Sequence, residues 1–418
     1  MSHEASISPE HDGAREALRE APGELPVHGP LRRAWERMRL VPLLLLVACV
    51  IAAAIVGGMT QAEADRRAAL PPATAGATAP AAADGAECAP AQPPLPAEQP
   101  WQGEAREASD AVYQEATAGL QQPVIEGRDG WLFWSDYQWQ NFSQGLGRRV
   151  QTTEEMDAWS SHYQGVADAL EAEGIRFHIL IAPAKWDAYR DQLPEWADGI
   201  QGSTTYDYLR VAHPELPLID VREAVRHGAA EADTYERENS HWTAYGGHVA
   251  WAQAARCLAS AGGPLAGIRA PELAGVETVQ GINEFAPYGY VDGIPAGHTR
   301  PVYAEAPSPM TLANKDGEVL HVDTAHPTDM LEMPARTVTE RPQSEATALV
   351  FRDSFGGGIA PGLQAAFAET TQISHGIGTG EAADIQGIAL EQRPDVVILE
   401  MTERYFYFAP GIPAPPNV

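Results

Sequence analysis

One uncharged apolar run, LVPLLLLVACVIAAAIVGGM at residues 40–59, most constrains how this chain is organised. A run of about 20 apolar residues is long enough to cross the hydrocarbon core of a bilayer as a single helix. The polar segment 1–39 precedes it and ends in a basic cluster made of Arg32, Arg33, Arg37 and Arg39. Positive charge before an apolar run predicts that the N-terminus lies in the cytoplasm and the rest of the chain outside it.

Two processing outcomes are consistent with this run. A signal peptide cleaved near Thr60-Gln61-Ala62 would release the chain, whereas an uncleaved signal anchor would hold it at the membrane. The polar segment is long for a signal peptide, and the apolar run exceeds a usual signal core. We therefore predict a cytoplasmic segment at 1–39 and a single-pass signal anchor at 40–59 in the cell membrane.

The segment after the apolar run is predicted to be a linker. Residues 60–100 are rich in Ala, Pro and Gly and have no apolar period, which is typical of a semi-extended tether. The folded domain is expected at 101–418. The chain has three cysteines, and the apolar run contains one of them, Cys49. Cys88 and Cys257 are able to pair if both lie outside the cytoplasm, and the sequence leaves their pairing open.

Composition argues against nucleic-acid binding. The formal charge is -29, from 57 Asp+Glu against 28 Lys+Arg. Such a surface repels a phosphate backbone, and no basic stripe is long enough to follow one. The acidity by itself does not identify a substrate.

The order of apolar segments predicts an α/β layered domain with a mostly parallel sheet. Apolar runs typical of buried strands lie at 175–183, 216–221, 347–351 and 395–400. Segments typical of helices lie at 103–120, 153–173, 243–262 and 361–369, and a hairpin is predicted at 124–136. The stretch 263–345 is turn-rich, and we assign no architecture to it.

The segment VFRDSFGGGIAPGL at 350–363 is the strongest local sign of chemistry. It puts Ser354 at the carboxyl end of a strand, where ligands bind in open α/β sheets. Backbone N–H groups at the start of the following helix are able to stabilise an oxyanion. An ordinary N-cap serine is the alternative interpretation.

A serine nucleophile needs a base, and His241 is the candidate. It stands in ERENSHWTAYGG at 236–247, directly before Trp242 and a glycine-containing turn. A structural turn histidine is the alternative. No His/Cys cluster has metal-ligand spacing, and the glycines at 356–358 do not form a phosphate-loop pattern, so we predict neither a metal nor a cofactor.

Several segments together resemble the SGNH hydrolase-like domain of the alginate O-acetyltransferase (AlgJ/AlgX) family. They are GRDGWLF at 127–133, PAKWDAYRDQLP at 183–194, LIDVREAV at 218–225, ENSHWTAYG at 238–246, VFRDSF at 350–355 and RPDVVILEMTERYF at 393–406. The resemblance implies that Ser354 is the nucleophile and His241 its base in acetyl transfer to a polysaccharide. It also implies a partner, a multi-span membrane O-acyltransferase that supplies the acetyl groups.

The chain departs from the family at Asn239, where relatives carry Asp two residues before the histidine. A neutral amide is able to orient the imidazole but does not stabilise its charge, and an amide turned the wrong way would favour the wrong tautomer. A different acid such as Glu238 would be one compensation. Esterase activity, with water as acceptor, and glycan binding without turnover both remain open.

Arg352 is the second departure, because ordinary GDSL enzymes have glycine before the Asp-Ser pair. We predict that Arg352 binds an anionic group of the substrate or donor, with a salt-bridged structural residue as the alternative. Asp353 is expected to point away from the histidine, and Lys185 to be structural. Three aromatic residues are candidates for sugar stacking, with packing as the alternative: Trp134, Tyr137 and Trp139.

Overall fold

The computed structural model describes residues 88, 92, 94–120, 123–290, 297–323, 328, 330–379 and 381–413. The predicted cytoplasmic segment, the predicted signal anchor and most of the predicted linker lie outside these residues. Within them, no helix is both long enough and apolar enough to cross a membrane.

The described part of the chain contains nine α-helices and twelve strands. The helices are α1 (Ala105–Thr117), α2 (Asn141–Gly145), α3 (Thr153–Glu171), α4 (Lys185–Ala188), α5 (Thr205–Ala212), α6 (Arg222–Gly228), α7 (Ala244–Ser260), α8 (Gly356–Ala366) and α9 (Ile385–Gln392). The strands are β1 (Val124–Glu126), β2 (Leu132–Trp134), β3 (Arg176–Ala182), β4 (Leu218–Asp220), β5 (Leu273–Gln280), β6 (Gly297–Tyr303), β7 (Met310–Ala313), β8 (Val319–Val322), β9 (Ala335–Thr339), β10 (Ser344–Arg352), β11 (Phe367–Ser374) and β12 (Val396–Thr402).

An eight-stranded sheet in the order β4-β3-β12-β10-β11-β9-β7-β8 forms the centre of the domain. The strands from β4 to β11 pair in parallel, and β9, β7 and β8 pair antiparallel. The predicted α/β layers are therefore confirmed, but the prediction of a mostly parallel sheet is wrong. The antiparallel strands come from the turn-rich stretch 263–345, where β8 is almost wholly exposed and β9 is buried only at every second residue.

The two faces of the sheet pack into separate apolar clusters because successive strand residues point to opposite sides. In β3, Leu180 belongs to the cluster with residues of α7 and α8. Its neighbours Ile179 and Ile181 belong to the cluster with residues of α3 and α9. The result is a central sheet with helices on both faces.

Helix α8 differs from its prediction, which placed a helix at 361–369. The helix begins five residues earlier, at Gly356, and the chain is already in β11 from Phe367. Pro361, the first residue of the predicted helix, lies inside the observed helix. Of the glycines before Pro361, Gly358 lies in close contact with Gly247 of α7.

The domain begins before residue 101. Cys88 forms a disulfide with Cys257 of α7, and its carbonyl accepts the Asp220 N–H at 2.9 Å. Gln99 donates to the Ser203 hydroxyl at 2.9 Å. The last part of the predicted linker 60–100 is therefore attached to the domain, and the cysteine pairing that the sequence left open is present.

Candidate active site

Ser354 lies in the turn between β10 and α8, at the carboxyl end of a central strand. The side chain of Asp353 builds this turn. Its Oδ1 accepts the Phe355 N–H at 2.7 Å, and its Oδ2 accepts the Thr402 N–H at 2.9 Å and the Thr402 hydroxyl at 2.6 Å. Asp353 is fully buried and points away from His241, as the sequence led us to expect.

The charge of Asp353 is stabilised inside the domain. Burial alone would raise the pKa of this carboxyl group, but His375, the Arg404 charge and the Thr402 hydroxyl together hold the pKa well below its usual range. Asp353 is therefore an ionised structural residue of the serine turn.

Two glycines bring the histidine segment against the serine turn. A Cβ on Gly358 of α8 would lie 2.4 Å from the Trp242 Nε1, and a Cβ on Gly247 of α7 would lie 2.4 Å from the Gly358 backbone. Without these side chains the helices approach closely, and the Trp242 Nε1–H donates to the Phe355 carbonyl at 2.8 Å. This contact places His241 beside Ser354.

The structure joins three of the sequence-predicted site residues in one hydrogen-bonded chain. His241 Nε2 is 2.7 Å from Ser354 Oγ, and His241 Nδ1 is 2.9 Å from Asn239 Oδ1. The His241 backbone N–H donates to the same Oδ1 at 3.0 Å, while Asn239 Nδ2 donates to the Ile282 carbonyl at 3.0 Å.

These contacts determine the orientation of the Asn239 amide, because a backbone N–H only donates and a carbonyl only accepts. The amide oxygen must face His241, so Nδ1 carries the ring proton. The lone pair of Nε2 is then directed at the Ser354 hydroxyl, which is the tautomer a general base requires.

His241 is held neutral near neutral pH. Its side chain is 31% exposed. Burial lowers the pKa of the imidazole, and the nearby Arg404 charge lowers it further, while Glu284 is the largest opposing influence. A neutral imidazole is able to accept the serine proton.

A carboxylate that the sequence did not single out lies close to this histidine. Glu284 Oε2 is 4.0 Å from His241 Nδ1 and accepts the Ser240 N–H at 2.7 Å. Glu284 stands in the turn-rich stretch, and nothing in its sequence neighbourhood marks it. Glu238, the acid suggested by the sequence, is fully buried, and neither of its carboxylate oxygens has a hydrogen-bond partner among the described residues. Burial raises its pKa.

Arg352 does not face the site, and its contacts do not support the prediction that it binds substrate. Its side chain is completely buried. The guanidinium donates to the Gln372 side chain at 2.8 Å, the Asp353 carbonyl at 2.8 Å and the Thr328 carbonyl at 2.6 Å. These contacts hold the end of β10 against its neighbours, which agrees with the structural alternative.

Lys185 supports the segment that carries Asn239. Its Nζ donates to the carbonyls of Leu132, Arg237 and Asn239 at 2.8, 2.5 and 3.1 Å. Burial lowers the pKa of this ammonium group, and nearby Glu side chains oppose that shift. Three carbonyl acceptors match the three hydrogens of the charged form.

A recess of about 20 Å³ is lined by Ser240 and Phe355, the neighbours of His241 and Ser354, and by Trp134 and Arg404. Three polar atoms of these lining residues have no hydrogen-bond partner within the described ranges: Trp134 Nε1, Ser240 Oγ and Arg404 Nε. A space of this size holds about one water-sized group. A larger cavity of about 730 Å³ lies beside His375 and Phe408, and its lining includes none of the predicted site residues.

The predicted aromatic residues have different environments. Trp134 packs edge-on against Phe285 and Tyr288, and Trp139 packs against Tyr405. Tyr137 is 71% exposed.

The fold resembles that of SGNH hydrolase-like domains. Residues 124–282 match the family described as the SGNH hydrolase-like domain of the acetyltransferase AlgX. The match includes Asn239 and His241 and ends before Ser354. It confirms the resemblance to the alginate O-acetyltransferase family that the sequence motifs suggested.

Solved structures with the same fold include PatB1 from Bacillus cereus carrying a sulfonyl adduct, with a TM-score of 0.51 and 14% identity over 68% of this chain and 96% of PatB1. The O-acetyltransferase domain of Pseudomonas putida AlgJ matches with a TM-score of 0.40 and 17% identity over 68% of this chain and 92% of that domain. Pseudomonas aeruginosa AlgX matches with a TM-score of 0.38 and 15% identity over 70% of this chain and 66% of AlgX. No curated protein matches this chain. At these identities, the PatB1 likeness shows the fold alone.

Proposed function

We propose that this protein is an O-acetyltransferase that transfers acetyl groups to the hydroxyls of a cell-surface or exported polysaccharide. The observation that carries the proposal is the hydrogen-bonded chain of Ser354, His241 and Asn239. It lies in a domain whose residues 124–282 match the SGNH hydrolase-like domain of the acetyltransferase AlgX.

The proposed reaction has two half-reactions. In the first, His241 Nε2 takes the Ser354 proton as Oγ attacks the acetyl carbonyl of the donor, and the departing group then takes that proton from Nε2. In the second, Nε2 takes a proton from a sugar hydroxyl, whose oxygen attacks the acetyl carbon. The bond to Ser354 Oγ breaks, and the proton returns to the serine.

The size of the recess beside Ser240 and Phe355 favours a short acyl group as the group transferred. Its volume of about 20 Å³ suits a group the size of an acetyl methyl or carbonyl and leaves no space for a long acyl chain. Trp134 and Arg404 line the recess, and each has an N–H group without a hydrogen-bond partner among the described residues that is able to donate to an acyl oxygen. We assign the acetyl group of the acyl-enzyme to this recess.

The proposed setting is the outer face of the cell membrane, with the predicted anchor at 40–59 holding the protein. The Cys88–Cys257 disulfide supports an extracytoplasmic domain, because such bonds persist in oxidising compartments. A multi-span membrane O-acyltransferase would supply the acetyl groups, and the polysaccharide would accept them.

Trapping the acyl-enzyme tests this proposal. After incubation with p-nitrophenyl acetate or a sulfonyl fluoride, the protein should gain one adduct on Ser354, measured by intact-mass and peptide mass spectrometry. Ser354→Ala should gain none and lose turnover by about 10³-fold or more, since triad members act as a unit. Ser160→Ala, which removes a buried hydroxyl on α3, serves as the matched control.

The reaction products in the presence of an oligosaccharide acceptor distinguish a transferase from an esterase. Acetylated oligosaccharide as the main product supports transfer, whereas free acetate alone would indicate an esterase. Oligosaccharide binding by a protein that forms no serine adduct would overturn the catalytic proposal and leave a glycan-binding protein.

A further inference from the structure

The third member of a Ser-His-Asp triad has two separable roles. It selects the tautomer and orientation of the imidazole, and its negative charge stabilises the imidazolium that forms. Asn239 fulfils the first role through its Oδ1, which accepts the Nδ1–H of His241. Its amide is neutral, so the second role requires a charge from another residue.

Glu284 is held at a fixed distance from the same ring nitrogen. Its Oε2 lies 4.0 Å from His241 Nδ1 and accepts the Ser240 N–H at 2.7 Å. Its own backbone N–H donates to the Glu238 carbonyl at 2.9 Å. Backbone and side chain of Glu284 are therefore both attached to the segment that carries His241.

The chain path explains how a residue so distant in sequence reaches the site. Strand β5 ends at Gln280, and the residues after it run alongside 236–240. Ile282 accepts from Asn239 Nδ2 and donates its N–H to the Glu236 carboxylate at 3.2 Å. Glu284 follows two residues later on the same path.

Other charged groups also act on His241. Arg404 disfavours its protonated form, whereas Asp353 and Glu236 favour it less strongly than Glu284 does. Glu236 is already bonded to His298 at 2.7 Å. Among the described residues, Glu284 is the acidic side chain that comes within 4.0 Å of the ring. Its side chain is 26% exposed, so water screens the interaction only in part.

We propose that Asn239 and Glu284 divide the role of the usual triad aspartate: Asn239 orients His241, and Glu284 supplies the negative charge. Glu284 is thus a positioning residue that acts through His241. When the Ser354 proton moves to Nε2, the carboxylate of Glu284 stabilises the imidazolium, and the proton later leaves with the departing group. This inference rests on the proposed acetyl transfer.

Glu284→Gln tests the charge with little change of shape, because the glutamine Oε1 is still able to accept the Ser240 N–H. Because the substitution removes a negative charge near Nδ1, the pKa of His241 should fall by about one unit, which is a tenfold change in the protonation equilibrium. In parallel, kcat/KM should fall by about 10-fold or more through kcat, with KM nearly unchanged. The pKa is read from the ring NMR signals, which a His241→Gln protein assigns.

Glu238→Gln is the matched control, because it removes a neighbouring acid that has no hydrogen bond to His241. It should leave the pKa of His241 unchanged and the rate within about twofold of wild type. Glu284→Asp keeps the charge and guards against loss of folding, so it should retain more activity than Glu284→Gln.

A second substitution that restores the charge distinguishes an effect of the missing charge from an effect of altered structure. Adding Asn239→Asp to Glu284→Gln returns a carboxylate to Nδ1 and should restore both the pKa of His241 and most of kcat. An unchanged pKa in Glu284→Gln, or no rescue by Asn239→Asp, would overturn the inference. Because the pKa is measured without turnover, this failure is distinguishable from the absence of acetyl transfer in wild-type protein, which would instead overturn the proposed function.

Discussion

Asn239→Asp in otherwise unchanged protein is the substitution for which sequence and structure predict different results. The sequence alone predicts a gain in turnover of about tenfold or more if no other carboxylate supplies the missing negative charge, and little gain if Glu238 or another acid already does. The structure predicts a smaller gain and a loss of stability. Both differences follow from contacts that the sequence does not reveal.

The electrostatic gain is limited by the charge already present. A carboxylate at 2.9 Å from Nδ1 would interact with the imidazolium by about 1.4 kcal/mol in water-like surroundings and about 6 kcal/mol at an effective dielectric constant near 20. Glu284 at 4.0 Å already contributes about 1 to 4 kcal/mol on the same scale. The two carboxylates would also repel each other. We therefore expect less than about a tenfold rise in kcat.

The cost in stability comes from the other side of the amide. Asn239 Nδ2 donates to the Ile282 carbonyl at 3.0 Å, and a carboxylate oxygen in that position would face another acceptor. Losing this bond costs about 1–3 kcal/mol. With about 2.1 cal/mol/K of unfolding entropy per residue, a change of 1 kcal/mol shifts the melting temperature of a domain of about 320 residues by roughly 1.5 °C, so a fall of at least about 1.5 °C is expected.

The assay combines initial rates on p-nitrophenyl acetate across a pH series with thermal melting of the same samples. The added negative charge should raise the pKa of His241 and move the acid limb of kcat/KM to higher pH. A gain above about tenfold with an unchanged melting temperature would refute the conclusion that the Asn239 amide is fully engaged and that Glu284 already supplies charge.

Two further predictions concern pH and redox state. Burial and Arg404 lower the pKa of His241, so kcat/KM should stay high as the pH falls to about 6.5, the ordinary histidine value, and should decline only below it. A midpoint above that value in a pH-rate profile would contradict the environment assigned to His241. Reducing the Cys88–Cys257 disulfide, which closes a loop with a sequence separation of 169, should lower unfolding stability by about 2–5 kcal/mol in urea titrations. Cys88→Ser/Cys257→Ala protein should melt like the reduced wild type and should not respond to reductant.

The sequence predicted those parts of the site that are local in the chain. Ser354 lies two residues after the end of β10, and His241 lies two residues before Thr243, the N-cap residue of α7, whose side chain accepts the Gly246 N–H. Asn239 is only two residues from the histidine, so their hydrogen bond is also local. Patterns of a few residues are enough to suggest such features.

The remaining features depend on contacts between distant segments. The antiparallel strands β7, β8 and β9 are short and partly exposed, so their apolar pattern is weak. The burial of Arg352 depends on polar partners such as Gln372 of β11, a strand that the sequence did not predict. Glu284 is 43 residues from His241, in a stretch without periodicity, so only the folded chain places it at the imidazole.

The amide at position 239 is therefore compatible with catalysis in a way that the residue type alone does not suggest. In a serine-protease triad, the Asp-to-Asn change costs about 10⁴-fold, largely because the amide favours the wrong tautomer. Here the Ile282 carbonyl and the His241 backbone N–H both require the amide oxygen to face Nδ1. The tautomer is consequently the competent one. The remaining deficit is the missing charge, and the carboxylate of Glu284 at 4.0 Å is positioned to make up part of it.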